Sequence, residues 1–399
     1  MSSTAIAFYS ATRPSRAEQK PTICVVSKAS AQGTALVADV VRQQAGAAAL
    51  VETFATVRTA LANPATRPRC LLVDARWLEA MDFVRWVRDD VRLCDTPVIL
   101  LAAKPTEEVF LAARRCGADD AVGIDDAAGI ARRTKTLAAF VPGVRPAPVL
   151  GVALVVHSND ERRRHAGWIL RRAGYEIVFA KTCRDAVTMG RERLPAVVVV
   201  SADLLEQGDL TAALCRLRTD IGHEGLPMVV VAADGARHRM QIFLSRVALA
   251  SDGQDWDHLL FQISEVTRPA VADLRASRRV FWATIIGFRR LTELEPSLGL
   301  TYDVSQGGLF VRTTDAPASG DLVNLDLRLA AISPQVLTLR ARVVWVQQLR
   351  PGVATRTPAG FGAEIVPDDC PRADLGLYRS ACAALVASNQ SPTMPAAAS

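Results

Sequence analysis

The chain has 399 residues, of which 50% are apolar, and it carries a formal net charge of +6 at pH 7. This length is enough for two or three domains with separate hydrophobic cores. No apolar run approaches the roughly 18 to 20 residues that a transmembrane helix needs, so the composition argues against a membrane-spanning protein.

The N-terminal residues 1–20 contain arginine and lysine but lack the apolar core of a signal peptide, and we interpret them as a flexible arm. The eight cysteines are scattered without C-x-x-C spacing, and most lie in apolar runs. This usage indicates buried, reduced thiols and a cytoplasmic location. The histidines show no metal-ligand spacing, and the sequence contains neither a nucleophile motif nor a Walker-type glycine loop. It therefore predicts neither an enzyme nor a bound metal or cofactor.

Two segments in the first two thirds of the chain repeat one another. The run at residues 24–27 is echoed at 154–157, and the run at 97–103 is echoed at 227–233 with the same offset. Each repeat contains continuous apolar runs separated by helical patterns, which is typical of parallel strands buried on both faces. The alternation predicts an α/β fold with a doubly wound, flavodoxin-like parallel sheet in each repeat.

The pattern changes after about residue 268 to short β-like runs punctuated by Gly, Pro and Asp, and then to a helical segment at 372–387. This spacing predicts a small antiparallel β-barrel or sandwich with a C-terminal helix. The β-like runs lie at residues 281–286, 299–302, 309–313, 322–327, 337–345 and 360–365.

These changes of pattern predict a division of the chain into segments. They are a flexible arm at 1–20, a first α/β domain at 21–141, a proline-rich linker at 142–150, a second α/β domain at 151–268, a β domain at 269–388 and a disordered tail at 389–399.

The first α/β domain resembles a response-regulator receiver domain in its order of elements, in the Leu-Val-Asp strand end at Asp74 and in the segment at residues 117–120. A working receiver needs an acceptor aspartate, an acidic pair that holds Mg²⁺, a hydroxyl residue and a lysine. Asp74 stands at the acceptor position, but Ser27 and Lys28 occupy the positions of the acidic pair and Ala102 that of the hydroxyl.

The second repeat departs further from a working receiver. His157 and Ser158 replace most of the acidic pair, and Ser201 replaces the acceptor. We therefore interpret both repeats as degenerate receiver-like domains, with Asp74 as a candidate phosphoacceptor.

Two motifs stand in order at the start of the β domain. Residues 275–279 have the form R-x-x-x-R, and residues 303–308, Asp-Val-Ser-Gln-Gly-Gly, have the form D/N-x-S-x-x-G. Either motif alone is weak evidence for a binding site, because arginine pairs are often solvated and Asp, Ser and Gly are common in turns. In this order, spacing and β context, they make the last third of the chain similar to a PilZ domain, a β-barrel that binds cyclic di-GMP.

The resemblance implies cyclic di-GMP as the ligand and a set of residues that contact it. An arginine fork matches both phosphate oxygens and the O6/N7 edge of guanine, and Asp and Ser offer hydrogen bonds to the second guanine. One departure is Leu274, where many members carry a further arginine, so that Arg278 would partly substitute. The implied contacts are Arg275, Arg278, Arg279, Asp303, Ser305 and Gly308.

The sequence therefore predicts a cyclic di-GMP receptor in which the ligand rearranges the barrel relative to receiver-like domains that bind protein partners or a second copy of the chain. Two alternatives stay open: a ligand-independent adaptor, and a response regulator phosphorylated at Asp74. DNA binding is disfavoured, because no recognition helix stands beside the arginine clusters.

Overall fold

A computed structural model describes the parts of the chain that contain the regular elements. The predicted arm, and nearly all of the predicted linker and tail, lie outside these parts. The described residues are 22–28, 32–62, 67–138, 150–205, 209–233, 242, 244–251, 256–268, 277–328, 335–349 and 355–389.

The first α/β unit alternates strands and helices along the chain. Its elements are β1 (Thr22–Ser27), α1 (Gln32–Gln44), β2 (Ala48–Thr53), α2 (Val57–Ala62), β3 (Cys70–Asp74), α3 (Glu79–Asp89), β4 (Val98–Ala102), α4 (Glu107–Cys116), β5 (Asp120–Gly123) and α5 (Ala127–Ala138). The strands form one parallel sheet in the order β2-β1-β3-β4-β5. Every residue of β3 and β4 is buried, because helices cover both faces of the sheet.

The second unit repeats this arrangement. Its elements are β6 (Val152–Val156), α6 (Asp160–Arg172), β7 (Glu176–Ala180), α7 (Cys183–Arg193), β8 (Val197–Ser201), α8 (Leu210–Ile221), β9 (Met228–Ala232), β10 (Val247–Ser251) and α9 (Trp256–Thr267). The parallel strand order β10-β9-β8-β6-β7 is that of the first unit read from the other edge. The predicted pair of doubly wound, receiver-like sheets is confirmed.

The C-terminal unit is a closed antiparallel barrel with a helix packed against it. Its elements are β11 (Val280–Phe281), β12 (Ile285–Arg290), β13 (Ser297–Ser305), β14 (Gly308–Arg312), β15 (Leu322–Arg328), β16 (Val336–Gln347), β17 (Gly360–Ile365) and α10 (Arg372–Asn389). The order is β13-β12-β15-β16-β17-β14, and pairing of β14 with β13 closes the barrel. The predicted β-barrel with a C-terminal helix is confirmed.

The single strand predicted at residues 281–286 is wrong, because the chain forms two short strands there. β11 pairs with the end of β13, and β12 pairs with its beginning. Between them the side chain of Thr301 takes part in the bonding: its Oγ1 accepts from the amide of Thr284 at 2.9 Å and donates to the carbonyl of Trp282 at 2.6 Å. This side-chain bonding replaces the regular ladder at the point where β13 also has a register shift.

The barrel docks on the first unit through buried polar contacts. The carboxylate of Asp120 accepts from the amide and the hydroxyl of Thr314, both at 2.7 Å, and from Arg133 of α5 at 3.1 Å. Arg132, also on α5, pairs with Asp315 at 2.9 Å. Because buried charges are costly unless they are paired, these contacts define one relative position of barrel and unit.

The second unit touches both of its neighbours. Arg172 at the end of α6 pairs with Asp119 of the first unit at 2.8 Å, and the indole of Trp168 donates to the carbonyl of Cys94 at 3.1 Å. On the barrel side, Asp257 of α9 pairs with Arg312 at 3.3 Å. The three units therefore meet around the start of β5 and the outer face of the barrel.

Candidate functional site

The D-x-S-x-x-G motif forms the hairpin between β13 and β14. Ser305 and Gly308 are paired across it, and Gln306 and Gly307 form an exposed two-residue turn. Asp303 and Ser305 are 4% and 7% exposed, so both lie in a largely desolvated position. The two polar side chains predicted from the motif thus lie close together at one end of the barrel.

Arg279 of the R-x-x-x-R motif reaches this hairpin. It directly precedes β11, in which Phe281 pairs with Asp303. Its Nη1 atom lies 3.2 Å from Oδ1 and 3.4 Å from Oδ2 of Asp303. Arg278 is exposed, whereas Arg275 lies outside the described residues and its role stays a prediction.

A β-bulge next to Asp303 lets neighbouring positions of β13 face different parts of the molecule. The register shifts between Thr301 and Asp303. Val304 lies in the barrel core, whereas Tyr302 lies outside the barrel among aromatic rings, although residues two apart on a regular strand share a face. Asp303 is therefore placed at the boundary between the barrel and the second unit.

The rings outside the barrel form what we call the aromatic junction, which joins helix α9 to the barrel. His258 stacks on Phe281 at 4.9 Å, and Phe261 contacts Tyr302 at 6.0 Å between ring centroids. Because Phe281 is paired with Asp303, the junction begins beside the candidate site. Its members are His258, Phe261, Phe281, Tyr302, Phe310 and Trp345.

A tyrosine of helix α10, Tyr378, contacts the backbone of the hairpin from the buried side, and the sequence analysis did not predict it. The hydroxyl of Tyr378, on α10, lies 2.9 Å from the carbonyl oxygen of Ser305 and 3.0 Å from that of Gly308. The Ser305 hydroxyl also donates to the Gly308 carbonyl at 3.1 Å. The signal available in the sequence was only an apolar helix face, which does not reveal that one hydroxyl meets two backbone carbonyls.

The chemistry of the hairpin suits an organic anion that carries hydrogen-bond donors. Asp303 offers two acceptor oxygens in a desolvated position, Arg279 offers cationic donors beside it, and the exposed Arg278 precedes Arg279 in the chain. Among the described residues, no group of three or more His, Cys, Asp or Glu side chains is arranged to hold a metal ion. No helix within the described ranges is long and apolar enough to cross a membrane.

Asp74, the candidate phosphoacceptor of the first unit, is fully buried and already paired. Arg76 donates to both carboxylate oxygens at 2.8 Å, and Ser27 donates at 3.0 Å. Burial raises the pKa of Asp74, but the hydrogen bonds from Arg76 and Ser27 and the charge of Arg76 outweigh it and hold the pKa below its ordinary value. A guanidinium thus neutralises the carboxylate at the position where a working receiver would use a metal ion.

The second unit places no carboxylate at its acceptor position. Ser201 ends β8 and is buried, and His157, which follows β6, is 5% exposed and accepts from the amide of Asn159 at 3.0 Å. Asp203 lies in the following turn with its side chain exposed. This arrangement agrees with the prediction of a degenerate receiver-like unit.

Residues 273–367 match the PilZ domain family, and this segment of the chain is a PilZ domain. The match includes both motifs and the whole barrel, and it ends before α10. A comparison of the whole sequence with curated proteins gave no match.

Solved structures similar to parts of the chain include PilZ and receiver proteins. The PilZ domain of CeSA from a cellulose-synthesizing bacterium is 19% identical, covers 27% of this chain and 98% of its own, and gives a TM-score of 0.21. Response regulator RPA3017 of R. palustris is 17% identical, with coverages of 29% and 90% and a TM-score of 0.24. The pseudo-receiver domain of the CikA protein is 18% identical, with coverages of 30% and 98% and a TM-score of 0.22.

The two adjacent glycines of the turn provide a matched pair of substitutions. A Cβ atom on Gly308 would lie 2.3 Å from the carbonyl oxygen of Ala363, whereas one on Gly307 would meet nothing within 4 Å. We expect Gly308→Ala to lower the free energy of unfolding by about 2 kcal/mol, because the β14–β17 pairing must shift. Gly307→Ala should stay within about 0.5 kcal/mol of the parent in chemical denaturation. Equal effects of the two substitutions would contradict the packing described for Gly308.

The pairing of Asp74 predicts that the first unit does not accept a phosphoryl group. Incubation with acetyl phosphate and Mg²⁺ should give no acyl phosphate in the intact chain, because Arg76 occupies the carboxylate and Ser27 and Lys28 cannot bind the metal. Mass spectrometry of the parent and of Asp74→Asn should therefore give the same result, with a working receiver domain as the positive control. Stoichiometric labelling that Asp74→Asn abolishes would contradict this prediction.

Proposed function

We propose that this chain is a non-enzymatic receptor for cyclic di-GMP, and that the ligand binds at the β13–β14 hairpin of its PilZ domain. The observation that carries the proposal is the contact between Arg279 and Asp303, because it brings the two sequence motifs together at one place. The PilZ match of residues 273–367 supports the choice of ligand.

The chemistry of the ligand fits the groups at the hairpin. The Watson–Crick edge of guanine offers two adjacent N–H donors, which a carboxylate accepts as it accepts the N–H groups of a guanidinium. Asp303 would therefore exchange its bond to Arg279 for bonds to guanine. Arg279 would then be released to bind a phosphate of the ligand, so that both charges stay paired.

The remaining arginines of the motif extend this site. Arg278 is exposed beside β11 and would contact the second phosphate or the Hoogsteen edge of a guanine. Arg275, which lies outside the described residues, keeps its predicted role as a phosphate or guanine contact. Ser305 and Gly308 would fix the backbone close to the base.

Ligand binding would act on the second unit more strongly than on the first. Arg279 lies two residues before Phe281, and Phe281 stacks on His258 of α9, so movement of Arg279 toward a phosphate would be transmitted along β11 to the aromatic junction. The first unit also reaches Phe281, through Arg114 of α4 at 5.8 Å, but the contacts of Asp120 with Thr314 and of Arg132 with Asp315 hold it on the barrel. A shift of the second unit would change the receiver-like surfaces offered to protein partners or to a second copy of the chain.

A ligand-independent adaptor is the second candidate. The observation that favours it is that Arg279 and Asp303 already form an ion pair within the chain. In that case the ion pair would be part of a static barrel, and the receiver-like units would dock partners in all conditions. The binding measurement below separates the two candidates.

We expect calorimetric titration to show saturable binding of cyclic di-GMP that GTP and cyclic di-AMP do not displace. Arg279→Ala and Asp303→Ala should each weaken the affinity at least about tenfold, because each removes charge-assisted hydrogen bonds worth about 1.5–3 kcal/mol. Arg289→Ala is the matched control, since Arg289 lies on β12, where it is paired with Asn324 of β15 and not with the hairpin, and the substitution should leave the affinity unchanged. If the parent chain is folded and gives no heat of binding at tens of micromolar protein, the receptor proposal is wrong and the ligand-independent adaptor is the better interpretation.

The proposed movement predicts different responses of two distances to the ligand. Spin labels at Glu192 of the second unit and Asp368 of the barrel should report a changed distance when cyclic di-GMP is added, in a background in which Cys183 and Cys215 are serine. A second pair, Gln43 of the first unit and Asp368, should stay unchanged, because the Asp120 contacts hold that interface. Unchanged distances in both pairs would show that the ligand binds without rearranging the units. A change in the second pair alone would show that the first unit moves, which contradicts the proposal.

A further inference from the structure

The C-terminal helix contributes to the hairpin through one buried hydroxyl. Tyr378 is 0% exposed and lies beneath the turn, where its Oη atom is within 3.0 Å of the carbonyl oxygens of Ser305 and Gly308. Cys382, one helical turn further, places its sulfur 3.5 Å from the same Ser305 carbonyl. Both side chains therefore approach the hairpin from the face opposite to solvent.

The Tyr378 hydroxyl lies between the two carbonyls: that of Gly308 also accepts from the Ser305 hydroxyl, whereas that of Ser305 is otherwise approached by the Cys382 thiol. A buried carbonyl that loses its hydrogen bond loses stability comparable to that bond, and here the two residues concerned are the pair that closes the turn. Burial raises the pKa of Tyr378 well above its ordinary value, so the hydroxyl keeps its proton at neutral pH. The sulfur of Cys382 is a weak donor and cannot replace it.

We infer that Tyr378 is a positioning residue of the cyclic di-GMP site, which fixes the backbone of Ser305 and Gly308 so that the motif presents its polar groups in the binding arrangement. The inference rests on the proposed function for the identity of the ligand. It extends the site beyond the PilZ match, which ends at residue 367, into helix α10. Leu375, Ala381 and Cys382 of the same helix pack in the barrel core and hold Tyr378 in place.

Tyr378→Phe tests this role, because it removes the hydroxyl and keeps the ring. The matched control is Tyr175→Phe, since Tyr175 is also buried, lies in the second unit, and its hydroxyl has no hydrogen-bond partner among the described residues. In the full chain we expect amide hydrogen exchange across residues 305–308 to accelerate about five- to tenfold in Tyr378→Phe, in line with one lost hydrogen bond. The control should exchange there like the parent.

Titration of cyclic di-GMP provides the second readout. The affinity of Tyr378→Phe should fall about five- to tenfold, with Tyr175→Phe unchanged. Cys382→Ala should show smaller changes of the same kind, because it removes only a weak donor.

The two readouts distinguish failure of this inference from failure of the proposed function. Unchanged exchange at the turn in Tyr378→Phe overturns the positioning role whatever the ligand does. Faster exchange with undiminished affinity overturns it as well, since the turn geometry would then not matter for binding. If the parent binds no cyclic di-GMP, the proposed function fails, and the exchange comparison alone decides whether Tyr378 holds the turn.

Discussion

Two neighbouring carboxylates at the start of β5 determine how the three units are assembled. Asp119 accepts from Arg88 of its own unit at 3.0 Å and from Arg172 of the second unit at 2.8 Å, while Asp120 accepts from Thr314 of the barrel at 2.7 Å. Both are at most 7% exposed. Removing such charges from water is costly, and only the full set of partners compensates for it. The arrangement of the units is therefore the one in which both carboxylates are paired.

This constraint distinguishes the two contacts of the barrel: the contact with the first unit contains buried ion pairs as well as the apolar packing of Leu300, and the contact with the second unit is largely aromatic. The ion pairs at the first unit tolerate little displacement, because any separation leaves a desolvated charge. The contact with the second unit depends largely on the aromatic junction, in which rings can slide while remaining packed. Since the junction begins at Phe281, next to Asp303, the more adaptable of the two contacts is the one that adjoins the motif.

The sequence predicted those parts of the structure that depend on neighbours along the chain. β3 and β8 were evident because each is a continuous apolar run, and Asp303 and Gly308 fall on paired strands because the motif spans a two-residue turn. The contacts between units could not be predicted, since Asp120 and Thr314 are far apart in sequence and nothing in either segment specifies the other. Arg279 was expected to contact ligand, and its ion pair with Asp303 emerged only from the fold.

The functional unit is larger than the segment that the PilZ family match defines. The barrel core continues into α10 through Leu375 and Tyr378, and the strand that carries Asp303 also carries Leu300, which packs in the core of the first unit. A change of geometry at the hairpin therefore reaches α10 through Tyr378, and it reaches the second unit through Tyr302 and the aromatic junction, while Leu300 at the other end of the strand stays anchored in the first unit. Because these contacts share one strand, the affinity of the site and the packing of the units are thermodynamically linked. A ligand that prefers one geometry of the hairpin must shift the assembly by the same free energy that the assembly contributes to binding.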